Sequence, residues 1–452
     1  MVNIKIKLSL VFSCRCNYEV CGYTFGVLES NVNFRLFTEE MRLFFSAGDP
    51  SGDIHAAALM TKLSEQCPEI QFVGFGGENM QRAGCELLAD LTKYAVMWLA
   101  QAIAQYFKFR KLLQEARKYL LQEKIDAVIL VDYPGFNWHV AKLAKEYGIP
   151  VFYFMPPQIW SWASWRINKM KRLVDVVLTP LQFEQRWFEQ HGMTSVFIGH
   201  PFFEEMVNKE SDTAFLEAFY KKYGDAPILT LLLGSRTQEV TANLDDFILA
   251  VEYVKEIQPN IHPIFAAYNQ THAEKIHERL VNLDLTIPIA VGRTTELIRA
   301  ADCCLAVSGS VSLELLACNK PTVVYYKVGK IPLMIQRFFR RTRYITLVNL
   351  LAIDMQRDIN SNQSPIFYNE SEFPIPPEPS EKDRDSMLFP EFLTAVDRSK
   401  DAAAYLAYWL TNQNSMAIQK RRLAALLREV DKVESPLNRA ASVILELIQR
   451  SF

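Results

Sequence analysis

No apolar run in this 452-residue chain reaches the roughly 18–20 residues that span a bilayer, so no membrane-crossing helix is expected. An excess of one charge is missing too. Lys and Arg number 49 against 51 Asp and Glu, a formal net charge of −2. Such a chain has no global field for nucleic acid, and any basic partner surface must be local. The cysteines are Cys14, Cys16, Cys21, Cys67, Cys85, Cys303, Cys304 and Cys318; they form neither a CxxC pair nor a zinc-type spacing. Cys303 and Cys304 fall in an apolar run and read as small core residues. A reducing cytoplasm is the simplest compartment for this usage. The glycine loop GDPSGD at 48–53 is not GxGxxG, and it lacks the GK[ST] of a P-loop.

What is present is globular. Hydrophobic residues make up 50% and charged residues 22%, and the length points to two or three domains. Residues 1–40 differ from the rest, with mixed Asn and aromatic residues and no helical or strand period. Lys5 and Lys7 precede a short apolar stretch, as in a signal peptide. Arg15 and Glu19 follow soon after, however, and no small-residue cleavage site is clear. The folded part is expected to begin at Met41, with residues 1–40 an appendage or the product of an upstream start site.

From Met41 strand and helix alternate. Residues 42–47, 71–76, 127–131, 151–154, 174–178 and 195–198 read as strands, and 55–66, 95–121 and 139–146 as helices. A polar helical stretch at 204–223 leads into a second series, with strands at 228–233, 263–267, 287–290, 303–307 and 322–326. The predicted fold class is α/β: two Rossmann-like, doubly wound parallel-sheet domains, residues 41–203 and 204–399, facing across a cleft. A polar, proline-rich insert at about 354–388 cannot build a core and reads as a flexible loop. Residues 400–452 read as C-terminal helices.

Several stretches could carry chemistry. IDAVILVDYPGFN at 125–137 opens as a buried parallel strand and stops at Asp132, where Pro134 and Gly135 force a turn. Open α/β sheets place ligands at such strand ends, so Asp132 is a candidate general base; equally, it could cap the helix that follows. In GDPSGD, Ser51 can cap a helix or meet a ligand. LLLGSRTQEV at 231–240 offers the backbone of Gly234 and Ser235 and the Arg236 fork to phosphate, or a surface ion pair. AVSGSVSLE at 306–314 ends a strand in Ser308, Gly309 and Ser310. Glu314 follows one turn into a helix, a layout for phosphate and ribose or for a Ser-capped helix.

PPQIWSWASWR at 156–166 packs three tryptophans into six residues, lining a pocket or packing a domain junction. The stretches at 100–113 and 331–344 interleave aromatic, aliphatic and basic residues, as an interfacial membrane segment does; a core-facing amphipathic helix is the alternative. The candidate membrane or acyl contacts are Trp98, Tyr106, Phe107, Phe109, Arg110, Trp160, Trp162, Phe338, Phe339, Arg340 and Arg341.

In order, AGDPSGD (47–53), VDYPGFN (131–137), PQIWSW (157–162), FIGHP (197–201), LLGSRTQEV (232–240), VSGSVSLE (307–314) and LVNLLA (347–352) resemble the motifs of lipid-A-disaccharide synthase, a GT-B glycosyltransferase family. The chain departs from the pattern at Asp49 (usually Glu), Ala163 (usually Arg), Leu233 and Val348 (both usually Pro), and through the insert before PEFL at 390–393. The resemblance implies transfer from UDP-2,3-diacylglucosamine to 2,3-diacylglucosamine 1-phosphate (lipid X). The anomeric centre inverts, UDP leaves, and neither metal nor cofactor is needed. It implies that Asp132 is the base on the acceptor hydroxyl, and that Gly234, Ser235, Arg236, Ser308, Gly309, Ser310, Glu314 and Asn349 lie at the UDP end. Ser51 would line the cleft from the first domain. It also implies a cytoplasmic protein, peripheral on the inner face of the membrane, with no nucleic-acid partner; a homo-oligomer stays open. The alternatives are another UDP-sugar transferase or epimerase of this fold, or an inactive membrane-associated scaffold.

Overall fold

The computed structural model describes residues 41–94, 102–208, 211–309, 311–357, 365–368, 387–433 and 435–450. The expectation for residues 1–40 therefore lies outside the described residues.

In the first lobe, β1 (Arg42–Ala47), α1 (Pro50–Gln66), β2 (Gln71–Gly76), α2 (Glu78–Arg82) and β3 (Cys85–Asp90) come first. Next are α3 (Ala102–Gln122), β4 (Ala127–Val131), α4 (Pro134–Glu146) and β5 (Val151–Phe154). Then α5 (Ile159–Trp162), α6 (Ile167–Leu173), β6 (Val176–Thr179), α7 (Gln182–Gln190) and β7 (Thr194–Phe197) complete it. The strands form a seven-stranded parallel sheet, ordered β3-β2-β1-β4-β5-β6-β7. Central β4 is buried at all five positions, as its unbroken apolar run requires of a strand covered on both faces.

Helices α8 (Pro201–Asn208) and α9 (Thr213–Tyr223) carry the chain onward, where one polar stretch was expected. The second lobe runs β8 (Ile228–Leu232), α10 (Thr237–Ile257), β9 (His262–Ala267), α11 (Gln270–Asn282), β10 (Ile289–Val291) and α12 (Thr294–Ala300). It continues through β11 (Cys303–Ala306), α13 (Val311–Ala317), β12 (Thr322–Lys327), α14 (Lys330–Phe339), α15 (Leu347–Met355) and β13 (Glu391–Thr394). Its six strands are parallel in the order β10-β9-β8-β11-β12-β13. The chain then forms α16 (Ser399–Thr411), α17 (Gln413–Val430) and α18 (Pro436–Arg450).

The expected insert is narrower than its sequence boundaries. At one end α15 runs to Met355, and at the other Met387 and Leu388 are buried. Within it, Phe367 bridges Thr342, and the N–H of Tyr368 donates to the carbonyl of Arg341 at 2.9 Å. Residues 358–364 and 369–386 lie outside the described part.

The lobes meet at their strands' carboxyl ends. The segment after β5 touches the segment after β12: the N–H of Arg341 donates to the Ser161 carbonyl at 2.7 Å, and the rings of Trp165 and Phe339 meet at 6.3 Å. Nearby, Arg186 of α7 holds both carboxylate oxygens of Asp354 on α15 at 2.5 Å. One buried cluster runs from Phe44 and Trp160 in the first lobe to Leu313 and Tyr344 in the second. Another, around Phe247, Phe265 and Trp409, fills the other face of the second sheet.

The chain's end returns to its start. Helix α18 packs on α1, where the Gln66 side chain donates to the Asn438 carbonyl and accepts from Ser442. Ile444 and Leu445 lie on the buried face of α18. Ile444→Ala, at a fully buried site, should lower unfolding stability by about 2–4 kcal/mol in urea titration. An unchanged midpoint would show that α18 is not docked in solution.

Candidate active site

Strand β4 delivers its carboxyl end to a backbone that an unbraced chain would not hold. Asp132 and Tyr133 both have left-handed φ, 42° and 44°. Each such non-glycine residue costs roughly 1–2 kcal/mol. The brace is Asn137, fully buried in the first turn of α4. Its amide nitrogen lies 2.7 Å from the Asp132 carbonyl, 3.2 Å from that of Val131 and 3.1 Å from that of Ser46. Its carbonyl accepts from the Ser46 hydroxyl at 2.7 Å, and the buried Tyr153 hydroxyl donates to the Asp132 carbonyl at 2.7 Å.

The capping alternative for Asp132 is not what the structure holds. Helix α4 starts at Pro134 behind Tyr133, with no side-chain cap. Burial first, then the charge of Asp49, pushes the Asp132 carboxyl up to about 6; the Tyr133 backbone N–H and His55 pull it down. The Tyr133 ring fills the space over Gly48, where an added Cβ would fall 2.0 Å from its Cδ1.

In GDPSGD the carboxylates divide the work. Asp49 caps α1, accepting from the Gly52 N–H at 3.1 Å, and the exposed Ser51 hydroxyl turns to Asp49 at 3.1 Å. Asp53 points inward and accepts from the backbone of Gly77 at 2.7 Å, Asn79 at 3.0 Å and Met80 at 3.1 Å, and from the Asn79 amide at 2.8 Å. It ties the first strand–helix loop to the second.

In the second lobe, Gly234 has φ 91°, and a Cβ there would fall 2.4 Å from Glu239 Oε2. Glu239 reaches back to the backbone N–H of Arg236 at 3.3 Å and its guanidinium at 3.1 Å. Arg236 otherwise stands in solvent, its side chain 78% exposed, beside exposed Ser235. At the end of β11, Gly309 is exposed and the Ser308 hydroxyl lies 3.4 Å from the Ile345 carbonyl; Ser310 lies outside the described residues. Glu314 is buried and accepts from the Thr295 hydroxyl at 2.6 Å.

Asn349 requires a correction. Expected at the UDP end, it is fully buried, and its amide is engaged at both ends. It donates to the Phe389 carbonyl at 2.7 Å and Glu391 at 3.0 Å, and accepts from the N–H groups of Leu388 and Phe389, each at 2.9 Å. Glu391, which the sequence reading passed over, takes the backbone N–H groups of Ile345 at 2.7 Å and Thr346 at 3.2 Å.

The aromatic–basic candidates separate by burial. Trp160 is a core residue whose indole N–H donates to Glu184 at 2.6 Å, so it is no surface contact. Phe109 is half-buried against Phe136, ring centroids 5.3 Å apart, which corrects its expected outward role. Arg110 is exposed. Trp98 lies outside the described residues, as do the side chains of Tyr106 and Phe107. Trp162 and Trp165 are exposed, with Arg166 over the Trp162 ring. Helix α14 buries none of its residues: Ile331, Met334, Ile335, Phe338 and Phe339 all face out. Arg340 follows half-buried, and Arg341 is exposed. Among the described residues no helix is long and apolar enough to cross a membrane, and no group of His, Cys, Asp or Glu is arranged to hold a metal.

Two parallel-sheet lobes meeting at their strands' carboxyl ends are the architecture of the GT-B glycosyltransferases and related sugar-nucleotide enzymes. A family model described as lipid-A-disaccharide synthetase matches residues 43–362. The chain belongs to that family and is a UDP-sugar glycosyltransferase of lipid A biosynthesis. It is 32% identical to the lipid-A-disaccharide synthase of Myxococcus xanthus over 315 residues, 70% of this chain and 82% of that protein. It is 27% identical to lipid-A-disaccharide synthase 1 of Legionella pneumophila strain Lens over 411 residues, 91% and 98% of the two chains.

Among solved structures, the UDP-GlcNAc 2-epimerase of Neisseria meningitidis matches with TM-score 0.53 at 10% identity, over 91% of this chain and 99% of that one. The calicheamicin glycosyltransferase matches with TM-score 0.52 at 11% identity, over 91% and 99%. At these identities the likeness is one of fold.

Asn137→Ala would remove the donors to three strand-end carbonyls. It should lower thermal stability by about 1–3 kcal/mol, the cost of leaving such buried groups unpaired. A melting temperature equal to wild type would show that the brace is dispensable.

Proposed function

We propose that the chain transfers 2,3-diacylglucosamine from UDP-2,3-diacylglucosamine to the 6-hydroxyl of 2,3-diacylglucosamine 1-phosphate (lipid X), inverting the anomeric centre and releasing UDP. Asp132 is the general base. The observation that carries this is its carboxyl: held at a strand end by its neighbours' backbone bonds, unused as a cap, and pushed up to about 6. A base with an affinity near neutrality is ionised at pH 7 yet still pulls a proton from an attacking hydroxyl.

Departure of UDP builds negative charge on the diphosphate. The exposed Arg236 fork, with Ser235 and the Gly309 backbone, is suited to receive it, and Gly234 leaves the space that lets Glu239 orient Arg236. Glu314 lies at the ribose end, and Ser51 lines the cleft from the first lobe. The exposed α14 face, continued by Trp165 and Trp162, supports peripheral attachment to the inner face of the cytoplasmic membrane, with Arg166 and Arg341 toward anionic headgroups.

In a radiolabelled transfer assay, Asp132→Asn should lose at least ~100-fold in turnover while UDP binding by calorimetry is retained, the scale of a missing general base. Equal turnover would remove Asp132 from the mechanism. Because the base must be ionised, wild-type kcat/KM should fall as pH drops through about 6. UDP binding with no transfer under any condition would favour an inactive scaffold. Changing Phe338, Phe339, Arg340 and Arg341 together to Ser should weaken flotation with anionic liposomes. Undiminished flotation would rule that surface out as the anchor.

A further inference from the structure

A cavity of about 380 Å³ lies between α14, β13 and the first turns of α16. Its size falls toward the lower end of the roughly 300–1,000 Å³ that small-molecule sites occupy. Strand β13 ends the sheet order, so among the described residues no strand lies beyond it. Leu333 lines the cavity from α14, Phe392 and Leu393 from β13, Val396 from the turn that follows, and Ala404 and Tyr405 from α16. The rings of Phe392 and Tyr405 stand 6.2 Å apart, edge to face.

The polar side chains of the lining are already matched. Arg398 pairs with Asp401 and lies 5.9 Å over the Phe392 ring. Glu391 gives one oxygen to the Ile345 N–H and the other to the Thr346 N–H and the Asn349 amide. The Thr394 hydroxyl donates to the Val396 carbonyl at 2.9 Å and accepts from the Val396 N–H at 3.1 Å. A polar ligand would find no side chain held in reserve for it, whereas hydrocarbon needs none and gains by leaving water.

Position narrows the occupant further. Strand β13 pairs with β12 and β12 with β11, all parallel, so the ends of β11 and β13 are two strand spacings apart, about 10 Å. Ser308 and Gly309 follow β11, and the cavity opens at the end of β13, where Thr394 and Val396 line it. A sugar carried on a diphosphate at Gly309 has its acyl substituents within reach of that opening. Helix α14 extends the apolar path outward: it turns Leu333 into the cavity and leaves Ile331, Met334 and Ile335 exposed.

We infer that this cavity receives an acyl chain of the donor, so that the second lobe recognises the UDP-sugar by its hydrocarbon as well as by its diphosphate. This rests on the donor being a diacylated UDP-sugar. Each methylene the cavity withdraws from water is worth about fourfold in affinity, so a donor with its chains cut short forfeits most of that gain. The space is bounded, so the cavity also discriminates between chains by length.

The test fills the cavity and measures binding to the full chain by calorimetry. Ala404→Trp does so from an exposed helical position, and a thermal melt shows that it is folded. The ligands are UDP-2,3-diacylglucosamine with long chains, the same UDP-sugar with acetyl groups in their place, and lipid X, each alone so that no transfer occurs. Ala404→Trp should weaken the long-chain donor by about tenfold or more, the scale of two methylenes returned to water, and the other two ligands far less. Undiminished binding of the long-chain donor would overturn the inference. So would equal weakening of the long-chain and diacetyl donors, which marks a distorted UDP site, or weakening confined to lipid X, which gives the cavity to the acceptor. Failure of the wild type to bind the donor at all would instead overturn the transfer reading. If Ala404→Trp does not fold, a donor analogue with a diazirine at its acyl terminus, photolysed with the unaltered chain, should label residues 391–405. Labelling only elsewhere would overturn the inference.

Discussion

The amide of Asn137 is the interaction on which the carboxyl edge of the first sheet depends. Adjacent parallel strands β1 and β4 both end here, Ala47 beside Val131, and the carbonyls at this edge need partners. One side chain collects those of Ser46, Val131 and Asp132. Because these contacts outweigh the roughly 1–2 kcal/mol cost per left-handed residue, Asp132 and Tyr133 stay in that conformation. That backbone in turn lays the Tyr133 ring over Gly48 and leaves the carboxyl of Asp132 unspent. A relaxed turn here would aim the Asp132 carboxyl elsewhere.

The second lobe is braced by the same means with different residues. Asn349 and Glu391 gather the backbone of 345–346 and 388–389, and Glu239 gathers that of Arg236. In each case a buried amide or carboxylate is consumed by structure: Asn137 beside Asp132, and Glu239, which also holds the Arg236 guanidinium. The division also explains the two ends of GDPSGD. Asp53 is spent on three backbone N–H groups, whereas Asp49 stays at the mouth of the helix, close enough for its charge to be felt by Asp132.

The fold was legible where burial writes an uninterrupted apolar run, as at β4, and illegible where it does not. Strand β3, CELLAD, is an edge strand buried mainly at Cys85, and β13 is an edge strand of four residues; neither carries a run to recognise. The motif residues were found, but which way each side chain turns is a tertiary fact. Trp160 and Trp162 are two residues apart in a helix of four, so one points to the core and the other to solvent. The resemblance implies a UDP-end place for Asn349, yet both ends of its amide are used inside. The Asn137 brace lay within the motif, but nothing in its spacing says that it reaches back to three carbonyls.

The sheet order bears on how the proposed lipid acceptor would reach Asp132, the proposed base. Strand β5 is the neighbour of β4, one spacing of about 4.8 Å away, and the exposed tryptophans follow β5 at the same carboxyl edge as Asp132. Phe339 of α14 meets Trp165 there, so the apolar surface is built jointly by both lobes. A sugar whose acyl chains stayed in a membrane against that surface would have only a short way to rise to the strand end. Opening the lobes would divide the same surface, because Trp165 belongs to one and Phe339 to the other. On the proposed attachment to the bilayer, docking on the membrane and closure around the sugars favour each other, since the surface is whole only while the lobes are together.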